Sequence, residues 1–468
     1  GSVHPVSWNQ SQLLTVHLVD GATDAYNIPM AWWVTGPLCV PSLRAALFGL
    51  VDRHAILRTT YEVDANGGFV QRVHPALDSS SLPREVAAAN VEAAEAFAAS
   101  DASAGFELFG AGGGVLRALL VGAVPLPSSQ QAASHLLQLV VHHVAFDGVS
   151  SELLLTELGA LYKAVEAGGT LLDAGLPALP FQYVDFALWQ RSDALAPLLG
   201  AHCTYWRTQL REGALPVLEL PLDHARPATQ TFSGDSVPVA LPPDVSSRLT
   251  LLSRSHEATL FQLMLAIWAL LLCRHASQEE VVIGAPYHGR DAAGTESLVG
   301  YFVNMLALRI EAPRGGSIGA LLRCAREVAS AGMRHAVLPF QRIVHDLLPQ
   351  RSHDASRNAV FQAQIAWGLD ADAQVACNAG LELSQAHFVP VSLAESYVAK
   401  AELTLDATDG SVNGGIQGCI EYNSDLFARG RIEQLVAQLT FVSTTVCHAP
   451  PEAWAYSRTS TDNGSVAT

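Results

Sequence analysis

Two adjacent histidines, followed four residues later by an Asp-Gly pair, are the residues whose types and spacing could carry out chemistry: His142-His143 and Asp147-Gly148. A neutral imidazole titrates near neutral pH and can accept a proton from an attacking amine or hydroxyl group. The pattern therefore predicts general-base or proton-transfer catalysis, with Asp147 either orienting the imidazole or holding the loop through an arginine. The motif alone equally allows a structural role at a strand end. We do not expect a metal site, because adjacent histidines point in different directions and no Cys or His follows at ligand-like intervals.

The segments on either side of this motif are expected to place His143 in a turn between a strand and a helix. The preceding run, 136–141, is short and rich in Val and Leu, which is typical of a buried strand. After the motif, Ser150 or Ser151 is expected to cap a helix that ends near Gly168-Gly169. In such a turn the backbone amides point outward and a side chain can face a cleft.

Composition and charge exclude several classes of function. The 468 residues are 49% hydrophobic and 15% charged, enough for two or three average domains or one large two-lobed domain. The net charge of −17 argues against nucleic acid and anionic membranes as partners. Seven scattered cysteines without a CxxC pair predict buried free thiols in a reducing cytoplasm. The longest apolar stretch, 258–273, predicts a core helix rather than a membrane span.

Strands and helices alternate in both halves of the chain, which predicts an α/β fold. Strands are expected at 30–35, 115–121, 237–241, 281–283, 360–366, 403–405 and 416–422, with a hairpin turn at 67–68. Helices are expected at 41–51, 87–100, 185–211, 318–333 and 432–446. A Pro-rich linker at 175–183 separates the halves. The predicted divisions are an N-terminal lobe at 1–174, a C-terminal lobe at 175–450 and a flexible tail or linker at 451–468.

Six stretches resemble, in order, the sequence motifs of condensation domains of nonribosomal peptide synthetases, and together they cover nearly the whole chain. HHVAFDG at 142–148 is similar to the family's active-site motif HHxxxDG. The others resemble RHExLRTxF, YxDFAVWQR, IGxFVNTLxLR, HQDxPFExLV and RDxSRNPLFQ; they are RHAILRTTY at 53–61, YVDFALWQR at 183–191, VGYFVNMLALR at 299–309, HAVLPFQRIV at 335–344 and RSHDASRNAVFQ at 351–362. Each is weak alone, whereas all six at fitting spacing make chance improbable.

The resemblance implies two lobes of chloramphenicol-acetyltransferase-like fold arranged in a V, with a tunnel between them. The segment Leu298–Arg309 would bridge the lobes beneath the tunnel, and a crossover within 370–397 would latch onto the N-terminal lobe. Upstream donor and downstream acceptor peptidyl carrier domains would dock at the tunnel mouths and deliver substrates on phosphopantetheine arms. No cofactor would be bound in the chain itself. An adenylation domain would be its neighbour in a larger synthetase, and the excised domain would be monomeric.

The activity implied is amide formation. The α-amine of an acceptor aminoacyl thioester would attack the thioester carbonyl of an acyl or peptidyl donor, and positioning the two arms would supply much of the acceleration. His143 would contact the acceptor amine, either removing its proton or holding it by a hydrogen bond. His142 would shape the loop, and the amide of Gly148 would stabilise the oxyanion.

The resemblance also implies supporting residues around the two histidines. Asp147 would be structural and paired with an arginine, with Arg290 the first choice and Arg309 the second. The remaining supporting and tunnel-lining residues implied are Arg58, Asn304, Tyr301 and Ser150.

Three departures from the family's pattern bear on stability and subtype. The first family motif, SxAQxRLWF, here reads SWNQSQLLT at 7–15, without the arginine and both aromatic residues. Position 149 is Val rather than the common Trp, and HAV at 335–337 lacks the usual Gln-Asp. These are mostly packing positions, and the HH and DG pairs are intact.

Related activities remain as alternatives. An epimerisation domain shares HHxxxDG, but its counterpart of 302–309 does not normally read FVNxLxLR. A heterocyclisation domain would read DxxxxD where this chain has His142-His143, and a plant-type acyltransferase acting on coenzyme A thioesters would carry DFGWG. A silent module that only recruits carrier domains stays open, as do enzymes that modify the acceptor or form esters.

Overall fold

The computed structural model describes residues 2–21, 23–75, 82–110, 113–124, 134–210, 215–347, 354–368, 383, 386–391, 398–410 and 415–448. Its strands are β1 (Ser2–Pro5), β2 (Asn27–Thr35), β3 (Thr59–Val63), β4 (Phe69–Val73), β5 (Arg84–Ala87), β6 (Leu116–Val124), β7 (Ser134–His142), β8 (Gly234–Ala240), β9 (Glu280–Tyr287), β10 (Asn304–Glu311), β11 (Ala363–Trp367), β12 (His387–Pro390), β13 (Leu403–Gly410) and β14 (Gly415–Asn423). Its α-helices are α1 (Trp8–Asp20), α2 (Val40–Arg53), α3 (Val91–Ala102), α4 (Gly148–Glu166), α5 (Tyr183–Gln190), α6 (Ala196–Leu210), α7 (Pro243–Ser255), α8 (Leu260–His275), α9 (Ile318–Arg334), α10 (Phe340–Arg342) and α11 (Arg429–His448).

The central strand of one sheet leads directly into the histidine motif. In this sheet, ordered β12-β2-β7-β6-β5, strand β7 lies between β2 and β6 and pairs antiparallel with both. Residues 136–141 are fully buried, because both faces of the sheet are covered, and this burial explains why all of them except Gln138 are apolar. Since β7 ends at His142, the motif begins in the middle of the sheet rather than at its edge.

A second sheet forms the centre of the C-terminal half. It is ordered β10-β9-β11-β13-β14-β8, with β11 parallel to both neighbours and the other pairs antiparallel. Helix α8 is apolar on nearly all faces and is buried along most of its length. The core helix predicted at 258–273 is therefore confirmed.

Two large hydrophobic cores, with a small third cluster around Trp33 and Leu136, lie in the molecule, and two chain segments join the large cores. The first core takes residues from Val6 to Phe186 and also Leu298 to Phe302, whereas the second begins at Leu195. The segment 298–311 thus starts in the first core and continues as β10 in the second sheet. In addition, β12 pairs with β2 at the edge of the first sheet, within the range expected for the crossover.

Some local predictions are wrong. Helix α3 begins at Val91 and not at 87, because residues 84–87 pair with β6 and Asn90 caps the helix by accepting a hydrogen bond from the Ala93 amide. The six described cysteines are free as predicted, but Cys273 is the one among them that is fully buried. Residues after His448, where a flexible tail was expected, lie outside the described residues.

Among the helices that the structure describes, none by itself combines the length and the apolar character that crossing a membrane requires. The pair α7 and α8 reaches that length and composition together, but the two helices meet at a bend of 103°.

Candidate active site

The histidine motif forms a tight turn between β7 and α4. His142 closes the strand, and residues His143–Ala145 form one turn of 3-10 helix. Asp147 then caps α4, because its carboxylate accepts a hydrogen bond from the Ser150 amide at 2.9 Å. The predicted cap at Ser150 or Ser151 is therefore wrong. Both serines lie inside the first turn of the helix.

His142 points into the protein and holds the turn in shape. Its side chain is 2% exposed, and its Nδ1 accepts a hydrogen bond from the Val144 amide at 3.0 Å. The ring of Phe106 packs edge-on against it. Burial, with smaller contributions from nearby His143, His17 and Arg117, lowers the pKa of His142 well below its ordinary value. This setting matches the loop-shaping role expected for His142.

A hydrogen bond to the backbone shows which ring nitrogen of His143 carries the proton. Its amide donates to the Tyr26 carbonyl at 2.8 Å, and its Nδ1 lies 2.6 Å from the Phe146 carbonyl oxygen. A carbonyl can only accept, so Nδ1 carries the proton and the lone pair of the neutral ring is on Nε2. The Phe146 carbonyl thus holds the Nδ1 side of the imidazole, and the Asp147 carboxylate is paired with Arg290.

Asp147 and Arg290 form a buried ion pair between the two halves of the chain. Arg290 Nη2 lies 2.7 Å from Asp147 Oδ1, and both side chains are almost fully buried. The other guanidinium nitrogen, Nη1, donates to the carbonyls of Thr295 and Leu298. Arg290 is the partner that the sequence favoured.

Ser150 completes this cluster, which we call the lock: Asp147, Ser150 and Arg290. The Ser150 hydroxyl accepts hydrogen bonds from Arg290 Nη2 at 2.9 Å and from the Gly300 amide at 3.0 Å. Asp147 Oδ2 accepts from the Phe302 amide at 3.1 Å. The lock therefore ties the segment 300–302 to the start of α4. Ser150 is fully buried, so the tunnel-lining role predicted for it is wrong.

Gly300 is required where this segment approaches α5. A Cβ atom at this position would lie 2.1 Å from the ring of Tyr183, far inside van der Waals contact. The Tyr183 hydroxyl donates to the Tyr301 carbonyl at 2.5 Å. Tyr301, predicted to line a tunnel, places its ring edge-to-face against His143 at a centroid distance of 5.0 Å.

Sequence reasoning missed the contribution of the first helix. Gln10 on α1 donates to the Val144 carbonyl at 3.2 Å and to the Tyr61 hydroxyl at 3.0 Å, so it holds the histidine turn from below. Ser7 bonds the Tyr183 hydroxyl at 2.9 Å. Ser7 and Gln10 are, with Leu13, the positions of the first family motif that this chain retains, and that retention was the available signal.

Three predicted residues lie away from the histidine turn. Asn304 is 6% exposed, donates to the carbonyls of Ala336 and Leu338 and accepts from the Phe340 amide, so its side chain joins backbone segments, and its tunnel-lining role stays a prediction. Arg309 pairs with Glu280 instead of Asp147. Arg58 donates to the carbonyls of His74 and Asp52 and supports the end of the β3–β4 hairpin.

Gly148 is the first residue of the 19-residue helix α4 and is partly buried. The amides of a first helical turn have no partner within the helix, and the helix dipole makes this end positive. An oxyanion could therefore be stabilised here. Within the described residues, no group of three or more His, Cys, Asp or Glu side chains is arranged to hold a metal ion.

The sequence of the chain shows its family. The condensation-domain family model matches residues 2–455. A plipastatin synthase of Bacillus subtilis (strain 168) is 34% identical over 453 residues, which is 96% of this chain. The chain therefore belongs to the condensation-domain family of nonribosomal peptide synthetases.

Other relatives are synthetases of similar kind. A linear gramicidin synthase of Brevibacillus parabrevis is 35% identical over 92% of this chain. Phosphinothricin tripeptide synthetase PhsC of Streptomyces viridochromogenes is 33% identical over 95% of it. The chain spans 12%, 5% and 39% of the lengths of these three relatives.

Solved structures confirm the predicted fold. The X-domain from teicoplanin biosynthesis superposes with a TM-score of 0.81 at 24% identity, covering 96% of this chain and 95% of that one. A four-domain nonribosomal peptide synthetase bound to AMP and glycine gives 0.79 at 22% identity, covering 96% of this chain and 33% of that one. The fold is the α/β, chloramphenicol-acetyltransferase-like fold of condensation domains.

Proposed function

We propose that this domain forms peptide bonds, by attack of an acceptor aminoacyl α-amine on the thioester carbonyl of an upstream acyl or peptidyl donor. The hydrogen bond between His143 Nδ1 and the Phe146 carbonyl, at 2.6 Å, supports this most directly. It puts the lone pair of the neutral imidazole on Nε2, the atom that can hold the amine or take its proton. Membership of the condensation-domain family supports the same acyltransferase chemistry.

The proposed reaction conserves atoms and charge. The amine nitrogen bonds to the thioester carbon, and the carbonyl oxygen takes up negative charge. His143 Nε2 accepts one proton from the former amine. Collapse of the adduct breaks the C–S bond, and the proton passes to the departing thiolate. The products are an amide on the acceptor arm and a free thiol on the donor arm.

The surroundings of His143 favour a positioning role. Asp147 is bonded to Arg290, and the Nδ1–H of the imidazole donates to a neutral carbonyl. A carbonyl stabilises an imidazolium less than a carboxylate does. We therefore propose that His143 mainly holds and orients the amine, and takes the proton as the tetrahedral adduct forms.

The oxyanion would be stabilised at the start of α4. The amide of Gly148 is the proposed donor, because it lies at the positive end of a long helix and five residues after His143 in the chain. A donor placed before the reaction begins costs no reorganisation during it.

The arrangement of partners is part of the proposal. The lobes 1–174 and 175–450 would form a V around a tunnel, with 451–468 as a tail or linker. An upstream and a downstream carrier domain would bring the two thioesters on phosphopantetheine arms, and an adenylation domain would adjoin them in the full synthetase. The excised domain would be a monomer. Multidomain relatives, of which this chain spans a small part, support these partners.

Intact-mass spectrometry tests the function. The domain is mixed with carrier-bound aminoacyl donors and a carrier-bound or soluble pantetheine-linked amino acid acceptor, beside His143→Ala and, as a matched control, His387→Ala on the exposed strand β12. The proposal expects the acceptor to gain the mass of the donor acyl group with the wild type and the control, and not with His143→Ala.

Other outcomes would overturn the proposal. Exchange of the donor Cα proton for deuterium without transfer would indicate epimerisation. Carrier binding without transfer or exchange, across a broad panel of donors and acceptors, would indicate a silent docking module.

A further inference from the structure

The ring of Tyr301 packs against the His143 imidazole. The two rings meet edge-to-face, with centroids 5.0 Å apart and planes inclined by 70°. Tyr301 is 7% exposed, and burial raises the pKa of its phenol well above the ordinary value. The Tyr301 ring therefore presents an uncharged aromatic surface to His143.

Hydrogen bonds hold the backbone on both sides of Tyr301, so the position of its ring is fixed. The Tyr301 carbonyl accepts the Tyr183 hydroxyl at 2.5 Å. The amide of Gly300 donates to the lock at 3.0 Å, and that of Phe302 does so at 3.1 Å. A side chain anchored between such neighbours keeps its place when the ring beside it moves.

A hydrogen bond at Nδ1 constrains the His143 imidazole along one direction. The outer side-chain torsion of histidine is broad and roughly two-fold, so the bond from Nδ1 to the Phe146 carbonyl lets the ring rock about that bond. The Tyr301 ring packed beside the imidazole restricts this rocking. Together the two contacts fix where the lone pair on Nε2 of His143 points.

Position 301 is one of the two variable positions of the IGxFVNTLxLR motif. The tyrosine is therefore a feature of this chain that the shared motif does not specify.

We propose that Tyr301 is a positioning residue whose ring holds the plane of the His143 imidazole so that Nε2 faces the acceptor amine. The inference rests on the proposed condensation function. The aromatic face carries this role and the hydroxyl does not, so phenylalanine should replace tyrosine here and an aliphatic side chain should not.

The test compares Tyr301→Phe and Tyr301→Leu by two readouts. Transfer is measured at saturating acceptor, and the motion of the His143 ring is followed by NMR relaxation of its ring C–H groups, with the signals assigned by their loss in His143→Ala. For Tyr301→Leu we expect kcat to fall by about two- to tenfold, the range one edge-to-face pair can supply, with KM for the acceptor nearly unchanged. The order parameter of the His143 ring should fall, because the ring can rock more widely about its hydrogen bond to the Phe146 carbonyl. Tyr301→Phe should match the wild type in both readouts.

The control is Tyr422→Leu, the same truncation at a buried tyrosine of β14 in the other sheet. It should leave the His143 signals unchanged. The proposal is overturned if Tyr301→Leu keeps the wild-type order parameter of the His143 ring, if Tyr301→Phe loses as much activity as Tyr301→Leu, or if Tyr422→Leu lowers kcat equally. Because the NMR readout needs no turnover, it decides the positioning role even if the wild type proves not to catalyse condensation.

Discussion

The histidine turn, 142–146, and the lock that follows it use their polar groups in different ways. In the lock, the Asp147 carboxylate accepts four hydrogen bonds and the Arg290 guanidinium donates four. In the turn, His143 donates one ring N–H to a backbone carbonyl, which leaves the lone pair on the other ring nitrogen. Under the proposed function, the motif therefore separates holding the site in place from performing the reaction. Substitutions should separate in the same way, into loss of stability and loss of activity.

The largest loss of stability should follow the replacement of Arg290 by Met. This variant leaves the Asp147 carboxylate buried without its cation, and breaking a buried pair from one side typically costs about 3–5 kcal/mol. The free energy of unfolding, measured by urea denaturation, should fall by this amount. Arg429→Met, which removes an exposed pair with Asp235, is the control and should cost far less. Equal losses in the two variants would show that the lock does not support the fold.

Removing both charges should cost less than the sum of the single losses. Asp147→Asn keeps a capping side chain but removes the charge, and with Arg290→Met no uncompensated ion is left buried. A double-mutant cycle should give a coupling free energy of about 1–3 kcal/mol. Additive losses would mean that the two side chains contribute independently.

A smaller loss is expected for Ser150→Ala. The hydroxyl is fully buried, and its removal deprives the Gly300 amide of its acceptor, which typically costs about 1–3 kcal/mol. Ser247→Ala, which removes an exposed hydroxyl on α7, should change stability by less than about 0.5 kcal/mol. If Ser150→Ala is as mild as this control, Ser150 is not an essential member of the lock.

The smallest effect concerns pH and the turn itself. Burial lowers the pKa of His142 in the folded protein below the value near 6.5 of the unfolded chain. Between these two pKa values the unfolded chain binds a proton that the folded chain does not, so stability is lost as pH falls below about 6.5. Replacing His142 by Asn should remove about 1 kcal/mol of this loss between pH 6.5 and 5.5. A His142→Asn curve parallel to that of the wild type would contradict the assignment.

The local frame of the site could be predicted from the sequence. The apolar run before His142 and the periodic run after Ser151 predicted the strand, turn and helix. This was possible because a buried strand such as β7 and an amphipathic helix such as α4 each produce a characteristic spacing of apolar residues over a short stretch of sequence. Arg290 could be chosen as the partner of Asp147 through the resemblance to condensation domains.

The remaining features depend on contacts between distant parts of the chain. Asp147 and Ser150 are both good capping residues, and the Ser150 hydroxyl is instead used by Gly300, which is 150 residues away. Asn304 would look the same in the sequence whether it faced a tunnel or the backbone carbonyls that it holds. The contact between Tyr301 and His143 likewise exists only when the two halves of the chain come together.

The most direct test of the central claim is the single-turnover rate of acyl transfer by His143→Ala, measured together with its free energy of unfolding. The account predicts a rate lower by about 10²–10⁴-fold, the range for a proton-transfer group. It predicts a loss in the free energy of unfolding of only about 1 kcal/mol, since the partly buried imidazole gives up its hydrogen bond to the Phe146 carbonyl but leaves no buried charge without a partner. A rate within a few-fold of the wild type, or a loss of stability as large as that of Arg290→Met, would contradict the claim that the turn performs the chemistry and the lock holds it in place.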